Sequence, residues 1–516
     1  MHNFHCTISR RDFMKGLGLA GAGIGAATSV MPNFHDLDEV ISAASAETSS
    51  LSGKSLNNFP WYVKERDFEN PTIDIDWSIL ARNDGYNHQG AYWGPVPENG
   101  DDKRYPDPAD QCLTLPEKRD LYLAWAKQQF PDWEPGINGH GPTRDEALWF
   151  ASSTGGIGRY RIPGTQQMMS TMRLDGSTGG WGYFNQPPAA VWGGKYPRWE
   201  GTPEENTLMM RTVCQFFGYS SIGVMPITSN TKKLFFEKQI PFQFMAGDPG
   251  VFGGTGNVQF DVPLPKTPVP IVWEEVDKGY YNDQKIVIPN KANWVLTMTM
   301  PLPEDRFKRS LGWSLDASSM IAYPQMAFNG GRVQTFLKAL GYQGLGGDVA
   351  MWGPGGAFGV MSGLSEQGRA ANEISPKYGS ATKGSNRLVC DLPMVPTKPI
   401  DAGIHKFCET CGICTTVCPS NAIQVGPPQW SNNRWDNTPG YLGYRLNWGR
   451  CVLCTNCETY CPFFNMTNGS LIHNVVRSTV AATPVFNSFF RQMEHTFGYG
   501  MKDDLNDWWN QSHKPW

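Results

Sequence analysis

Long apolar runs are missing from most of this 516-residue chain. Beyond the N-terminal segment no stretch reaches the roughly eighteen apolar residues expected of a membrane-spanning helix. Charge of one sign is also scarce. With 44 Lys and Arg against 48 Asp and Glu, the net charge is −4, which leaves no footprint for nucleic acid or anionic lipid. Cofactor signatures are few. The sequence has no C-x-x-C-H for haem, no P-loop, and no D-x-H-x-x-G, the motif that brings a histidine to cobalt in many corrinoid enzymes. A G-x-G-x-x-G at Gly16, Gly18 and Gly21 follows no strand pattern, so it is not read as a dinucleotide site.

What is present is cysteine, in two runs. The chain has 12 cysteines, and eight fall in "CETCGICTTVCP" at 408–419 and "CVLCTNCETYCP" at 451–462. Each run reads C-x2-C-x2-C-x3-C-P, the bacterial ferredoxin pattern for [4Fe–4S] ligation. Three thiolates at that spacing wrap one face of a cubane, and the fourth, before proline, reaches the other cluster. The expected sets are therefore crossed. Cys408, Cys411, Cys414 and Cys461 hold one [4Fe–4S] cluster, and Cys451, Cys454, Cys457 and Cys418 hold the second. A zinc site needs only paired ligands, and a disulfide framework belongs to small secreted domains, so both fit less well. Cys112, Cys214 and Cys390 read as small buried side chains. Cys6 lies in the N-terminal segment.

That segment opens with "SRRDFMK" at 9–15, followed by the Gly- and Ala-rich "GLGLAGAGIGAATSV". A paired arginine before a weakly apolar stretch too short to span a bilayer is a twin-arginine export signal. Ala44-Ser45-Ala46 offers a small-residue cleavage site, so residues 1–46 are read as the signal peptide. Export of an already folded protein suits clusters that must be built in a reducing compartment.

Residues 47–200 are rich in Trp, Tyr, Pro and Gly and read as an irregular aromatic domain with short helices, one over 115–130. From 201 to 399 the periodicity sharpens. Thr202-Pro203 starts a helix that runs to Gly218. Strands follow at "SIGVMPI" and at 293–303, then a helix over 330–343 and a strand near "NRLVCDLPM". This is an α+β core, followed by a ferredoxin-like region at 400–470 and a C-terminal segment at 471–516.

The twin-arginine segment, "SSMIAYP", "MWGPGGAFG", "GLSEQGR", "CDLPMVPTKPIDAGIHKFC", the two cysteine runs and "TPVFNSFF" occur together. On them the chain resembles the respiratory reductive dehalogenases, and within that family its chlorinated-ethene enzymes. The resemblance runs over essentially the whole length. It implies a nitroreductase-like cobamide-binding core with an inserted ferredoxin-like domain carrying the two [4Fe–4S] clusters. It also implies a base-off cobamide with no protein ligand to cobalt, which fits the missing D-x-H-x-x-G. The implied reaction replaces chlorine by hydrogen on a small chlorinated substrate. Implied partners are a small integral-membrane anchor protein and an upstream respiratory electron donor, at the outer face of the cytoplasmic membrane. By the family's spacing Tyr323 is the proton donor, Ser319 a pocket residue four positions before it, and Lys383 the cation that steadies the phenolate. Arg387 is the alternative cation. Glu366 and Arg369 are read as structural.

Overall fold

The structure, a computed structural model, describes residues 51–83, 113, 115–135, 160–161, 168–169, 198–239, 269–282, 284–309, 317–346, 352–431, 437–464, 471–497, 505 and 507–510. The export-signal reading and most of the aromatic segment lie outside the described residues. The elements used below, all within the unit Ser52–Trp516, are α1 (Leu115–Gln129), α2 (Pro203–Phe216), β1 (Ser221–Pro226), β2 (Lys238–Gln239), β3 (Val269–Glu274), β4 (Tyr280–Tyr281), β5 (Ile286–Pro289) and β6 (Trp294–Pro301). They continue with α3 (Ala317–Met320), α4 (Ala322–Leu340), β7 (Gly344–Gly346), α5 (Gly355–Met361), β8 (Glu366–Gln367), β9 (Glu373–Ile374) and β10 (Thr382–Cys390). The last are α6 (Ile404–Cys411), α7 (Ile413–Thr416), α8 (Asn456–Thr459), α9 (Leu471–Ala482) and α10 (Asn487–Phe497).

Helix α2 begins where the sequence says it should. The Thr202 hydroxyl accepts the Glu205 N–H, the Glu205 carboxylate accepts the Thr202 N–H, and Pro203 occupies the first helical position. This reciprocal cap satisfies two backbone donors at once. The helix ends at Phe216, ahead of Gly218 in a left-handed conformation.

The central sheet is antiparallel, in the order β7–β10–β6–β1. Leu296 in β6 faces Val224 on one side and Leu388 on the other, and all three are fully buried. A second sheet, β2–β3–β5–β4, contains one parallel pair, β3 with β5. Val295, Val389 and Leu345 of the first sheet share a core with Ile271, Ile286 and Ile288 of the second. Phe235 joins them, edge-on to Trp273 at 5.1 Å and to Phe358 at 5.2 Å. Burying each such side chain contributes about 1.5–3 kcal/mol. Phe358→Ala alone is worth about 3–5 kcal/mol.

Helix α4 starts eight residues earlier than the 330–343 read from sequence, at Ala322 rather than Gly330. Pro324 and the Gly330-Gly331 pair argue locally against helix. Proline is tolerated in a first turn, however, and the buried Met326, Val333 and Leu337 hold the rest in place. Strand β10 carries a bulge: Lys383 pairs with Met300, but Asn386 pairs with Met298, so one extra residue lies between them. Such bulges re-aim side chains next to a site.

Candidate functional site

Cys408 and Cys411 stand three residues apart on α6 and so share one face. Gly412 turns the chain at φ 65°, and Cys414 follows on α7. Cys461 arrives from the second run and packs in one buried cluster with Cys411, Phe407 and Phe463. These four cysteines line one small space together with Arg369, and Cys457 borders it as well. Burial pushes the Cys408 thiol well above its ordinary range, and the nearby thiols of Cys461, Cys411 and Cys414 push it further.

Two residues of the "GLSEQGR" stretch hold α6 at its two ends. The buried carboxylate of Glu366 accepts N–H groups from Ala402 (2.6 Å), Ile404 (3.2 Å) and His405 (3.2 Å), where the helix has unpaired donors. Burial pushes this carboxyl up to about 7, against the lowering effect of those three donors. Arg369, three residues on, donates to the carbonyls of Cys408 (2.8 and 3.0 Å) and Glu409 (3.2 Å), and to those of Gln424 and Gly426. Its guanidinium lies 4.2 Å from the Tyr444 ring centroid. The carbonyls it holds belong to the helix end that lacks intrahelical partners.

The second run has a different backbone. Leu453 and Thr455 both adopt left-handed conformations, φ 55° and 63°. Thr455 occupies the position that Gly412 fills in the first run. Burial raises the Cys454 thiol, and Cys451 and Cys418 add to it. Cys451 is pushed up to about 11 by burial, with Cys418 raising it and Lys118 lowering it. The fourth thiol of each run therefore sits with the other run's three. Among the described residues no three His, Cys, Asp or Glu side chains converge on a single ion.

Helix α1 covers this second set. Its buried Tyr122 and Ala126 pack with Val452, and Cys454 lies against the same cluster. Lys118, also buried, donates to the Trp448 carbonyl at 3.3 Å.

A cavity of about 430 Å³ opens against the second thiol set, with Cys418, Cys451, Cys454 and Cys457 in its wall. Lys383 and Arg387 of β10 and the backbone of Gly353–Gly356 also line it. Arg387 is fully buried, its guanidinium 5.4 Å from the Phe358 ring centroid. Lys383 lowers the carboxyl of Glu458, which burial otherwise holds above the usual range. Three acceptor atoms of the wall, Gln367 Oε1, Asn456 Oδ1 and Glu458 Oε2, are buried without a hydrogen-bond partner among the described residues.

Of the residues named from sequence, Cys408, Cys411, Cys414 and Cys461 line one space, and Cys418, Cys451, Cys454 and Cys457 line the cavity together with Lys383 and Arg387. Ser319 is fully buried with its hydroxyl unbonded among the described residues, and it is not among the residues that line this cavity. Ser319 and Tyr323 fall in separate helices, because the chain turns at Ile321 between α3 and α4. Pro324, lacking an N–H, cannot bond back to the Met320 carbonyl, and the expected continuous face is broken there. The side chain of Tyr323 lies outside the described residues. Sequence reasoning missed Glu458 and Lys118. The first adjoins Cys457, a signal available in the sequence; the second sits some 330 residues from its partner and leaves no local sign.

Comparison with known proteins gives two family matches, "Reductive dehalogenase subunit" over residues 177–394 and "4Fe-4S dicluster domain" over 407–465. The trichloroethene reductive dehalogenase of Dehalococcoides mccartyi strain ATCC BAA-2266 / KCTC 15142 / 195 is 42% identical over 545 residues, covering 98% of this chain and 97% of that one. The chloroethene reductive dehalogenase of Dehalococcoides mccartyi strain VS is 40% identical, covering 99% and 98%. Among solved structures, the catabolic reductive dehalogenase NpRdhA superposes with a TM-score of 0.52 at 15% identity, covering 88% of this chain and 52% of that one. That level of likeness speaks to the fold.

Proposed function

This chain belongs to the reductive dehalogenase family, and we propose that it replaces chlorine by hydrogen on a chlorinated ethene, using a cobamide and two [4Fe–4S] clusters. The observation that carries the reading is the cavity: one thiol set and two cations, Lys383 and Arg387, line the same space. The residues present suit the cofactors. The thiols of each set are buried or half-buried; as thiolates they would repel one another in dry surroundings, and iron would supply the compensating charge. Arg387 and the Gly353–Gly356 backbone, in the cavity wall, would seat the macrocycle. When bound, the cobamide supplies low-valent cobalt, a strong nucleophile and reductant toward a carbon–halogen bond.

The chain's own residues divide the remaining work. Cys457 borders both thiol spaces, so an electron received at the Cys408 set has a neighbouring site at the Cys451 set, which itself borders the cavity. In this reading Tyr323 releases a proton from its hydroxyl to the carbon that loses chloride. Lys383 holds the phenolate, since a nearby ammonium favours the ionised phenol. Arg387 is the alternative cation, and Ser319 packs behind the tyrosine. The reading takes the α+β core, 201–399, as nitroreductase-like, with 47–200 as a separate aromatic domain, 400–470 as the ferredoxin-like domain and 471–516 packed on the core. It further takes 1–46 as a twin-arginine signal and places the mature protein at the outer face of the cytoplasmic membrane. There a small integral-membrane partner holds it and an upstream respiratory donor feeds it. Among the described residues no helix is long and apolar enough to cross a membrane.

The test is cobalt and iron on one anaerobically purified, cobamide-reconstituted sample, followed by chloride release from trichloroethene with a reduced viologen as donor. About one cobalt and about eight iron per chain, with chloride released, is the expected result. Iron without cobalt, or full metal without chloride release, would sink the reading.

A further inference from the structure

Each thiol set has a buried cation of its own, and the two cations come from unrelated parts of the chain. Arg369 belongs to the segment after β8 and lines the space of the Cys408 set. Its fork is fixed by carbonyls on two sides, Cys408 and Glu409 on α6 and Gln424 and Gly426 beyond the first run. A guanidinium stays charged at any working pH, so this is a permanent positive charge held against one set.

Lys118 belongs to α1 and is 1% exposed. Its ammonium donates to the Trp448 carbonyl at 3.3 Å, and the same carbonyl accepts the Cys451 N–H at 3.2 Å, so the cation stands one shared acceptor away from the second set. The surroundings differ further: half-buried Glu458, beside Cys457, and Lys383 line the cavity at the second set, while buried Arg477 lies near Cys461 of the first.

Cluster potentials are set by local charge, hydrogen bonds and solvent exposure. A buried cation stabilises the state with one more electron, and in a dry site the effect is weakly screened. Taking the two-cluster reading above as its basis, we propose that Arg369 and Lys118 are separate potential-setting residues, Arg369 for the cluster of the Cys408 set and Lys118 for that of the Cys451 set. The two steps of the electron route are then tuned independently, one by the segment after β8 and one by a helix from the N-terminal half. Both are positioning residues that act through the clusters and touch no substrate.

The experiment is a potentiometric titration of the full-length, anaerobically purified holoenzyme, followed by electron paramagnetic resonance. Each cluster takes one electron from the added reductant, with no bond made and no proton moved. Iron content and the presence of two signals in the unaltered protein test the two-cluster reading by themselves. The proposal is tested by which signal moves. Arg369→Gln is expected to lower one midpoint by a factor of ten in the reduction equilibrium, about 59 mV for one electron, and leave the other in place. Lys118→Met is expected to move the other signal in the same direction. Arg369→Lys, which keeps the charge but loses the fork, should retain most of the original value. Should Arg369→Gln fail to load eight iron, Lys118→Met decides. Arg369→Gln or Lys118→Met at full iron content that shifts neither signal, or shifts both alike, overturns the proposal, as does Arg369→Lys shifting its signal as far as Arg369→Gln.

Discussion

Glu366 gives the sharpest test of how α6 is held. It is fully buried, and its carboxyl is pushed up to about 7 by burial, from an ordinary value of 4.5. The proton is thus bound more tightly in the folded chain than in the unfolded one. Between those two values the folded state holds more protons, so stability falls as pH rises. The contribution is full below about 4.5 and is lost as pH passes through about 7. A change of that size corresponds to roughly 3 kcal/mol. His405, next along, works in the opposite sense, since burial lowers its pKa. The comparison must therefore be a difference, wild type against Glu366→Gln, in which His405 cancels. The amide is neutral at every pH and keeps an oxygen for the Ala402 and Ile404 donors. Unfolding monitored by near-ultraviolet circular dichroism in anaerobic denaturant series at pH 5, 6, 7 and 8 supplies the curves. The gap between wild type and variant should move against wild type by about 2–3 kcal/mol from pH 5 to pH 8. A gap constant across the range would refute the reasoning. Glu366 would then be an ordinary ionised cap.

Three further outcomes are expected. In the double variant Cys418→Ser/Cys451→Ser only one cluster should be lost, leaving about four iron, because both residues serve the same set. Loss of both clusters would mean that each run holds its own. Thr455→Gly should relieve a left-handed residue at a cost of about 1 kcal/mol and slow iron release to a chelator; faster release would contradict the strain. Tyr323→Phe should abolish chloride release with cobalt and iron unchanged, and full turnover in that variant would remove the tyrosine from the proposed reaction.

Those features written in local spacing were legible in the sequence. The cysteine runs announced a 4Fe–4S domain, and the Thr202–Glu205 box and Gly218 marked the ends of α2, because caps and ligand spacings are short-range. Helix α4 was half hidden: Pro324 and Gly330-Gly331 obscure a helix that packing sustains. The cavity was not legible at all. Its wall joins residues near 75, 355, 385 and 455, and no local pattern announces which distant segments will meet. The roles of Glu366 and Arg369 fall between these cases. Their structural character could be read, but not that they grip opposite ends of one helix.

The covering of the second thiol set by α1 has a consequence for how the molecule is made. Lys118 and Trp448 are 330 residues apart, so when α1 leaves the ribosome the surface it will cover does not yet exist. Tyr122 and Ala126 have local company in Trp125 and Trp133, but Val452 joins them only once the second run has been synthesised, and a loop of that length must then close. The seating of this helix on the second thiol set is therefore a late, long-range event rather than a local one.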